Sequence, residues 1–179
     1  LALYDSAYPA ALSRILSRAG QTFPQMKLKN PLLVVKDLNA AKAFYAEVLG
    51  LSVEQDFGEN ITLTGGLCFQ TESSWKGFIS ADTVTFGGCD AELYFEEEDF
   101  DGFLLRLQKI PGISYVHPPL EHRWGQRVVR IYDADSHIIE IAEPLSSVIL
   151  RFAESGLSAE EIAKRMDIPL ALVTAELGK

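Results

Sequence analysis

The stretch of sequence that determines the fold is VKDLNAAKAFYAEVLGL, residues 35–51. Just ahead of it, residues 28–35 alternate in period two, which predicts a strand. Apolar residues then recur at helical spacing as far as Gly50, and this pattern predicts a helix. Asp37 or Asn39 is able to cap the start of that helix, and Gly50 provides the left-handed residue that ends it.

The same order of elements occurs twice along the chain. Short apolar segments broken at glycines predict three more strands after the first helix, at about 51–57, 60–64 and 66–71. After a looser stretch at 72–89, a second set is predicted: a strand at 90–96, a helix at 99–109, and strands at about 113–117, 126–132 and 137–143. We therefore predict an α+β fold in which two βαβββ modules form a curved mixed sheet around a cleft.

Helical extensions are predicted on both sides of this paired domain, which we place at residues 26–144. Residues 1–25 have the pattern of an amphipathic helix. Residues 145–179 predict three short helices, the second of which begins with a capping box from Ser158 to Glu161. Their order resembles a helix-turn-helix, but acidic residues outnumber basic ones here, so we predict a role in packing or dimerisation.

Composition and charge exclude several classes of protein. The chain has 179 residues, of which 47% are hydrophobic and 23% are charged, and this balance is typical of a globular protein. Its net charge of −9 disfavours binding to nucleic acid. Apolar runs fall well short of the ~18 residues that a membrane span needs. Cys68 and Cys89 have no metal-pair spacing, and we predict free thiols in a reducing cytoplasm.

Period-two alternation assigns the side chains of each strand to two faces of the sheet. One face is apolar and is expected to pack on the helices. The other face carries the polar side chains that we expect to line the cleft: Asn30, Gln70, Glu92, Tyr94, Arg130 and Glu140. Because a buried carboxylate needs a cation, Glu92 and Glu140 are expected to bind either a metal ion or the guanidinium of Arg130.

Two motifs of the chain resemble the vicinal oxygen chelate superfamily, which contains glyoxalase I, ring-cleaving dioxygenases, and bleomycin and fosfomycin resistance proteins. Residues 35–45 and 48–51 are similar to its first strand and helix. The segment YDADSHIIE at 132–140 is similar to its closing hairpin, in which a tight turn precedes a glutamate. The resemblance covers about residues 26–144 and implies the same paired βαβββ fold.

The resemblance also implies a metal site. In the metal-dependent members, four inward positions bind a divalent ion, and these fall on Asn30, Glu92, Glu140, and Gln70 or Cys68 in this sequence. We assign Glu92, Glu140 and Gln70 as metal ligands, without distinguishing Zn, Ni, Mn or Fe. Glu92 and Glu140 are then the catalytic residues, since the metal would polarise a substrate oxygen while one carboxylate serves as general base.

Further candidates for substrate binding lie in HPPLEHRWGQR, residues 117–127, which we predict to form a loop at the mouth of the cleft. Its aromatic, imidazole and guanidinium groups suit an anionic or aromatic substrate, although a purely structural loop is an equal alternative. The residues expected to bind substrate are Asn30, Gln70, Tyr94, His122, Trp124, Arg127 and Arg130. His137 is next to the turn and is expected to be solvated.

Two functions follow from this sequence. The first is a glyoxalase-like lyase or isomerase that acts on a small carbonyl compound or thiol adduct with the help of a divalent metal. The second is a metal-free protein that binds a small aromatic or cationic molecule, as the resistance proteins do by resemblance. For both we expect a small-molecule ligand, a homodimer, and no nucleic-acid or membrane partner.

Overall fold

The structure is a computed structural model that describes residues 26–178, so the helix predicted at 1–25 lies outside the described residues. The first module contains β1 (Leu32–Val35), α1 (Leu38–Leu49), β2 (Val53–Asp56), β3 (Asn60–Leu63), β4 (Cys68–Thr71) and α2 (Glu72–Ile79). The second contains β5 (Glu92–Glu96), α3 (Phe100–Leu107), β6 (Ser114–Glu121), β7 (Arg127–Tyr132) and β8 (Ile138–Ala142). Three helices follow: α4 (Leu145–Glu154), α5 (Ala159–Met166) and α6 (Leu170–Leu177).

Each module forms its own four-stranded mixed sheet. The strand orders are β1-β4-β3-β2 and β5-β8-β7-β6. Each sheet has one parallel pair, β1 with β4 in the first and β5 with β8 in the second. The other neighbouring strands are antiparallel. The identical orders confirm the repeated βαβββ modules that the sequence predicts.

The two modules share one hydrophobic core. The apolar faces of both sheets pack with α1 and α3 in a single cluster that includes Tyr45, Phe69, Phe103, Ile131 and Ile139. Tyr45 and Phe69 meet edge to face with ring centroids 4.7 Å apart. Burial of this surface, at roughly 25 cal/mol per Å², holds the apolar faces against the helices. The polar faces of the strands are therefore left for other contacts.

Helix α1 begins and ends where the sequence places it. Asp37, rather than Asn39, is the cap: its Oδ1 accepts hydrogen bonds from the backbone N–H of Asn39 at 2.7 Å and of Ala40 at 3.1 Å. Gly50 ends the helix with φ of 69°, a left-handed conformation that suits glycine.

Helix α2 is absent from the sequence-based prediction, which treats 72–89 as irregular. Its start is stabilised by Thr71, whose hydroxyl accepts a hydrogen bond from the backbone N–H of Ser74, and by an ion pair between Glu72 and Lys76 at 3.2 Å. Local capping thus forms one helix of eight residues in a segment with no long apolar pattern.

Strand β6 is longer than predicted, because it continues from Ser114 to Glu121 through Pro118 and Pro119. About half of the segment predicted as a loop at 117–127 therefore belongs to strand β6. β6 lies at the edge of its sheet, where a proline need not donate to a neighbour, and its register with β7 shifts on both sides of His117. Strand β1 is shorter than predicted and begins only at Leu32.

The C-terminal helices form a separate small core and are attached to the second sheet. Their buried residues are Val148, Ile149, Phe152, Ile162, Ala163, Met166 and Val173. The capping box of Ser158 and Glu161 is present as predicted. Within residues 26–178, no helix has the length and apolar character needed to cross a membrane.

Glu143 joins this helical unit to the sheet. Its carboxylate is almost fully buried and accepts hydrogen bonds from Arg127 at 3.1 Å and from Arg151 at 2.9 Å. Arg151 also donates to the backbone carbonyl of Gly125 at 2.6 Å. Burial opposes ionisation of Glu143, but the hydrogen bonds and charges of the two arginines outweigh it and hold the pKa of this carboxyl below its usual value.

We expect Glu143→Gln to lower the free energy of unfolding at pH 7 by about 3 kcal/mol, because two guanidinium groups lose their buried counter-charge. The folded-state pKa of Glu143 is depressed, so its stabilisation is complete above the unfolded pKa of about 4.3 and disappears as the pH falls through the folded value. Urea unfolding at several pH values should show the difference from wild type narrowing below about pH 4. Glu160→Gln, on the exposed first turn of α5, is the control, and an equal loss in both variants would contradict the prediction.

Candidate functional site

The polar face of the second sheet brings three predicted site residues into adjacent positions. Strand pairing sets Glu140 on β8 opposite Tyr94 on β5 and opposite Arg130 on β7. Glu92 lies two residues before Tyr94 and therefore on the same face. The alternation in the sequence thus places these four side chains on one face.

Arg130 binds both carboxylates of this face. Its Nε donates to Glu92 Oε2 at 2.9 Å, and its Nη2 forms an ion pair with Glu140 Oε2. The side chain of Glu140 is only 6% exposed, whereas that of Glu92 is 38% exposed. His117 Nε2 lies 3.3 Å from Arg130 Nη1. Arg130 therefore places a positive charge beside the buried carboxylate of Glu140, whose Oε2 accepts no hydrogen bond from the part of the chain that the structure describes.

These contacts do not fit the predicted metal site. The guanidinium of Arg130 lies against the carboxylates of both Glu92 and Glu140, so the two strongest candidate ligands already share a positive charge. Across residues 26–178, no group of three His, Cys, Asp or Glu side chains has an arrangement suited to a metal ion. The donor set consequently favours the guanidinium over a divalent cation.

The candidate ligands of the first module are engaged locally. Gln70 is buried, accepts a hydrogen bond from Asn60 at 2.8 Å and donates to Ser74 on α2 at 2.6 Å. Asn30 is exposed and donates to the carbonyl of Gly66 at 2.6 Å. Both amides therefore have partners inside their own module.

A second group of predicted binding residues forms a wall beside Arg130. Trp124 donates to Gln126 at 3.0 Å, and Gln126 donates to the hydroxyl of Tyr94 at 3.1 Å. The rings of His122 and Trp124 stack with centroids 4.3 Å apart. Gln126 is 6% exposed. Sequence patterns do not identify it as a site residue, because only its position after Trp124 and Gly125 distinguishes it in the sequence.

Two side chains of this wall have shifted pKa values. Burial raises the pKa of the Tyr94 hydroxyl, with Glu96 adding to the increase and the hydrogen bond from Gln126 opposing it. Burial also lowers the pKa of His122, and the nearby charges of Arg130 and His117 lower it further. Both shifts favour the neutral forms of these side chains.

Arg127 lies apart from this group. It binds Glu143 and also pairs with Asp101 at 2.8 Å, so its guanidinium connects the end of the sheet to α3. The structure therefore places this predicted substrate-binding residue in the contact that attaches the helical unit.

A cavity of about 240 Å³ opens where β1 of the first module approaches β5 and β8 of the second. We call it the junction cavity. Its apolar walls are Pro31, Leu33, Ala91, Leu93 and Ile138, and its polar lining includes Glu92, Asp90, Cys89, Ser136 and His137. Glu92 thus belongs both to the Arg130 contact and to this cavity.

His137 is not freely solvated, contrary to expectation. Its side chain is 20% exposed and its Nδ1 lies 2.8 Å from Oδ2 of the buried Asp133. The turn that precedes it in the sequence brings Asp133 back onto its own hairpin, and this local contact holds the ring at the edge of the junction cavity.

Comparison with known proteins agrees with this architecture. Residues 28–146 match the family model described as a glyoxalase-like domain. A protein of unknown function from Agrobacterium tumefaciens is 35% identical, with a TM-score of 0.59 over 68% of this chain and 96% of that one. A search of curated proteins found no significant match.

Two more distant structures share the fold. A glyoxalase/bleomycin resistance protein/dioxygenase from Nocardioides is 16% identical, with a TM-score of 0.57 over 74% of this chain and 92% of that one. A lactoylglutathione lyase from Agrobacterium tumefaciens is 22% identical, with a TM-score of 0.52 over 68% of this chain and 96% of that one. The family model and the 35% identical relative show that this chain belongs to the glyoxalase-like domain family of the vicinal oxygen chelate superfamily.

Proposed function

We propose that this protein binds a small cationic aromatic molecule without a metal ion. The observation that carries the proposal is the position of Arg130, whose guanidinium contacts both carboxylates that a metal would need. The alternative, a glyoxalase-like lyase that uses a divalent metal, requires Glu92 and Glu140 to exchange that contact for a metal ion. A metal ion would first have to displace the guanidinium from both carboxylates, and this requirement supports the metal-free function.

The charge of the site supports a cationic ligand. Arg130 balances one of its two carboxylates, so the group of Glu92, Glu140 and Arg130 carries about one net negative charge. Glu92 is the more exposed of the two acids, and Asp90 lines the same cavity. The chain as a whole has a net charge of −9, which favours the approach of a cation.

The junction cavity supports an aromatic body for this ligand. Five apolar side chains line it, and its volume of about 240 Å³ suits a molecule of one ring with a short side chain. Tyr94 lies on the same strand face as Glu92 and is 50% exposed, so its ring is also available to a cation. An amine at Glu92 with its ring in the cavity satisfies both features.

A homodimer and a cytoplasmic location stay predictions. The homodimer is supported by α6, on which Leu170, Leu172 and Leu177 are exposed. Large apolar side chains that share one short helix are typical of surfaces that contact another protein.

Protein purified without a chelator should contain no stoichiometric Zn, Ni, Mn or Fe. Elemental analysis measures this content directly, and calorimetric titration with each ion should give no saturable binding. The physical reason is that Arg130 already supplies the positive charge to Glu92 and Glu140. One equivalent of metal that disappears in Glu140→Gln would contradict the proposal.

Phenethylamine should bind with one-to-one stoichiometry, and Glu92→Gln should weaken this binding by about tenfold, equivalent to loss of one partly exposed charge contact. Glu98→Gln is the matched control, because it removes one acid from an exposed position in the turn after β5. Calorimetry at low salt gives the affinities. The same weakening in Glu98→Gln would show that the effect is only one of net charge.

Cys89 reports whether the probe enters the junction cavity. Its thiol lines that cavity and is exposed, whereas Cys68 is buried. Bound phenethylamine should therefore slow the alkylation of Cys89 by iodoacetamide. Binding that leaves the rate unchanged would place the ligand elsewhere.

A further inference from the structure

The carboxylate of Asp133 is the centre of a hydrogen-bond network that the proposed function does not use. Its side chain is 3% exposed. Oδ2 accepts from the hydroxyl of Tyr45 at 3.1 Å and from His137 Nδ1 at 2.8 Å. Oδ1 accepts from the backbone N–H of Asp135 at 3.0 Å and of His137 at 2.8 Å. Four donors therefore fix this carboxylate in one orientation.

This network determines which nitrogen of His137 carries the proton. Burial opposes ionisation of Asp133, but the hydrogen bonds that it accepts from His137 and from the backbone of Asp135 hold the pKa of the carboxyl below its usual value. An ionised Asp133 accepts a hydrogen bond from the Nδ1–H group, so the neutral ring keeps its lone pair on Nε2. Among residues 26–178, Nε2 of His137 has no hydrogen-bond partner.

The ring of His137 is also held from its side. Phe86 packs edge to face against it, with centroids 6.3 Å apart. Lys36 lies 4.3 Å from the centre of the Phe86 ring and 3.5 Å from the carboxylate of Asp135. Phe86, itself in contact with Lys36, thus helps to position the imidazole of His137. This ring lines the junction cavity, and its Nε2 is free to accept a hydrogen bond.

We infer that His137 selects ligands whose aromatic ring carries a hydroxyl group, which donates a hydrogen bond to Nε2 inside the junction cavity. The ligand class is then a hydroxyaryl amine, with its ammonium at Glu92 and its hydroxyl at His137, since both residues line the one cavity. This inference rests on the proposed function and narrows it. A bound ligand would cover Nε2, and an acceptor that a ligand covers without pairing it carries a desolvation cost, which is the source of the selectivity.

The test compares two amines of equal size in the same protein. Tyramine carries the hydroxyl, and 4-methylphenethylamine carries a methyl group in its place. We expect tyramine to bind about tenfold more tightly, because its hydroxyl donates a hydrogen bond to Nε2 of His137. Equal affinities would overturn the inference and leave the proposed function standing, whereas no binding of either amine would overturn both.

A variant assigns the effect to His137. His137→Phe keeps an aromatic ring at the cavity and removes the acceptor, while Asp133 retains its hydrogen bond from Tyr45. In this variant the two amines should bind equally, with 4-methylphenethylamine unchanged from wild type within about twofold. A tenfold preference that persists in His137→Phe would overturn the assignment.

Nitrogen NMR of the wild-type protein provides a readout that needs no variant. The His137 signals should show a proton on Nδ1 and a bare Nε2 in the free protein, and the Nε2 signal should shift on addition of tyramine more than on addition of 4-methylphenethylamine. A proton on Nε2 in the neutral ring would contradict the inference directly.

Discussion

The ion pair between Glu140 and Arg130 is the contact on which the polar face of the second sheet depends. Removing a carboxylate from water costs several kcal/mol unless a cation stays beside it, and Glu140 is 5% exposed. Strand register puts Arg130 directly opposite, so the backbone pairing that builds the sheet also pairs the charges. The same guanidinium contacts Glu92 and His117. A single guanidinium therefore contacts both acids of this face.

The arrangement of the rest of the site follows from how the chain covers this face. Trp124 packs against the core of the C-terminal helices and donates to Gln126, which in turn donates to Tyr94. Glu143, between two arginines, attaches those helices to the sheet. The helical unit thus positions one wall of the site. The junction cavity lies at the other end of β5, where the two modules meet, so Glu92 has apolar walls on one side and the guanidinium on the other.

Local patterns in the sequence predict most of the fold, because periodicity, the Gly50 cap and the hairpin turn are encoded within a few residues of where they act. The sequence-based prediction misses helix α2, because the Thr71 cap starts a segment that has no long apolar pattern. It also misses the extension of β6 through Pro118–Pro119, because no local pattern reveals that β6 is an edge strand. Alternation also places Glu92, Arg130 and Glu140 on one face. It does not decide between metal and guanidinium, because that choice depends on cross-strand register and side-chain reach. The sequence does not predict the burial of Gln126, because this burial depends on Trp124 and on the C-terminal helices against which Trp124 packs.

A crystal structure of protein soaked with zinc, recorded at the zinc absorption edge, would show directly which cation the two carboxylates hold. We predict that the guanidinium of Arg130 stays between the carboxylates of Glu92 and Glu140, with no anomalous peak at the coordination distance of about 2 Å from either acid. An anomalous peak bound by Glu140, with Arg130 displaced from the face, would contradict this prediction.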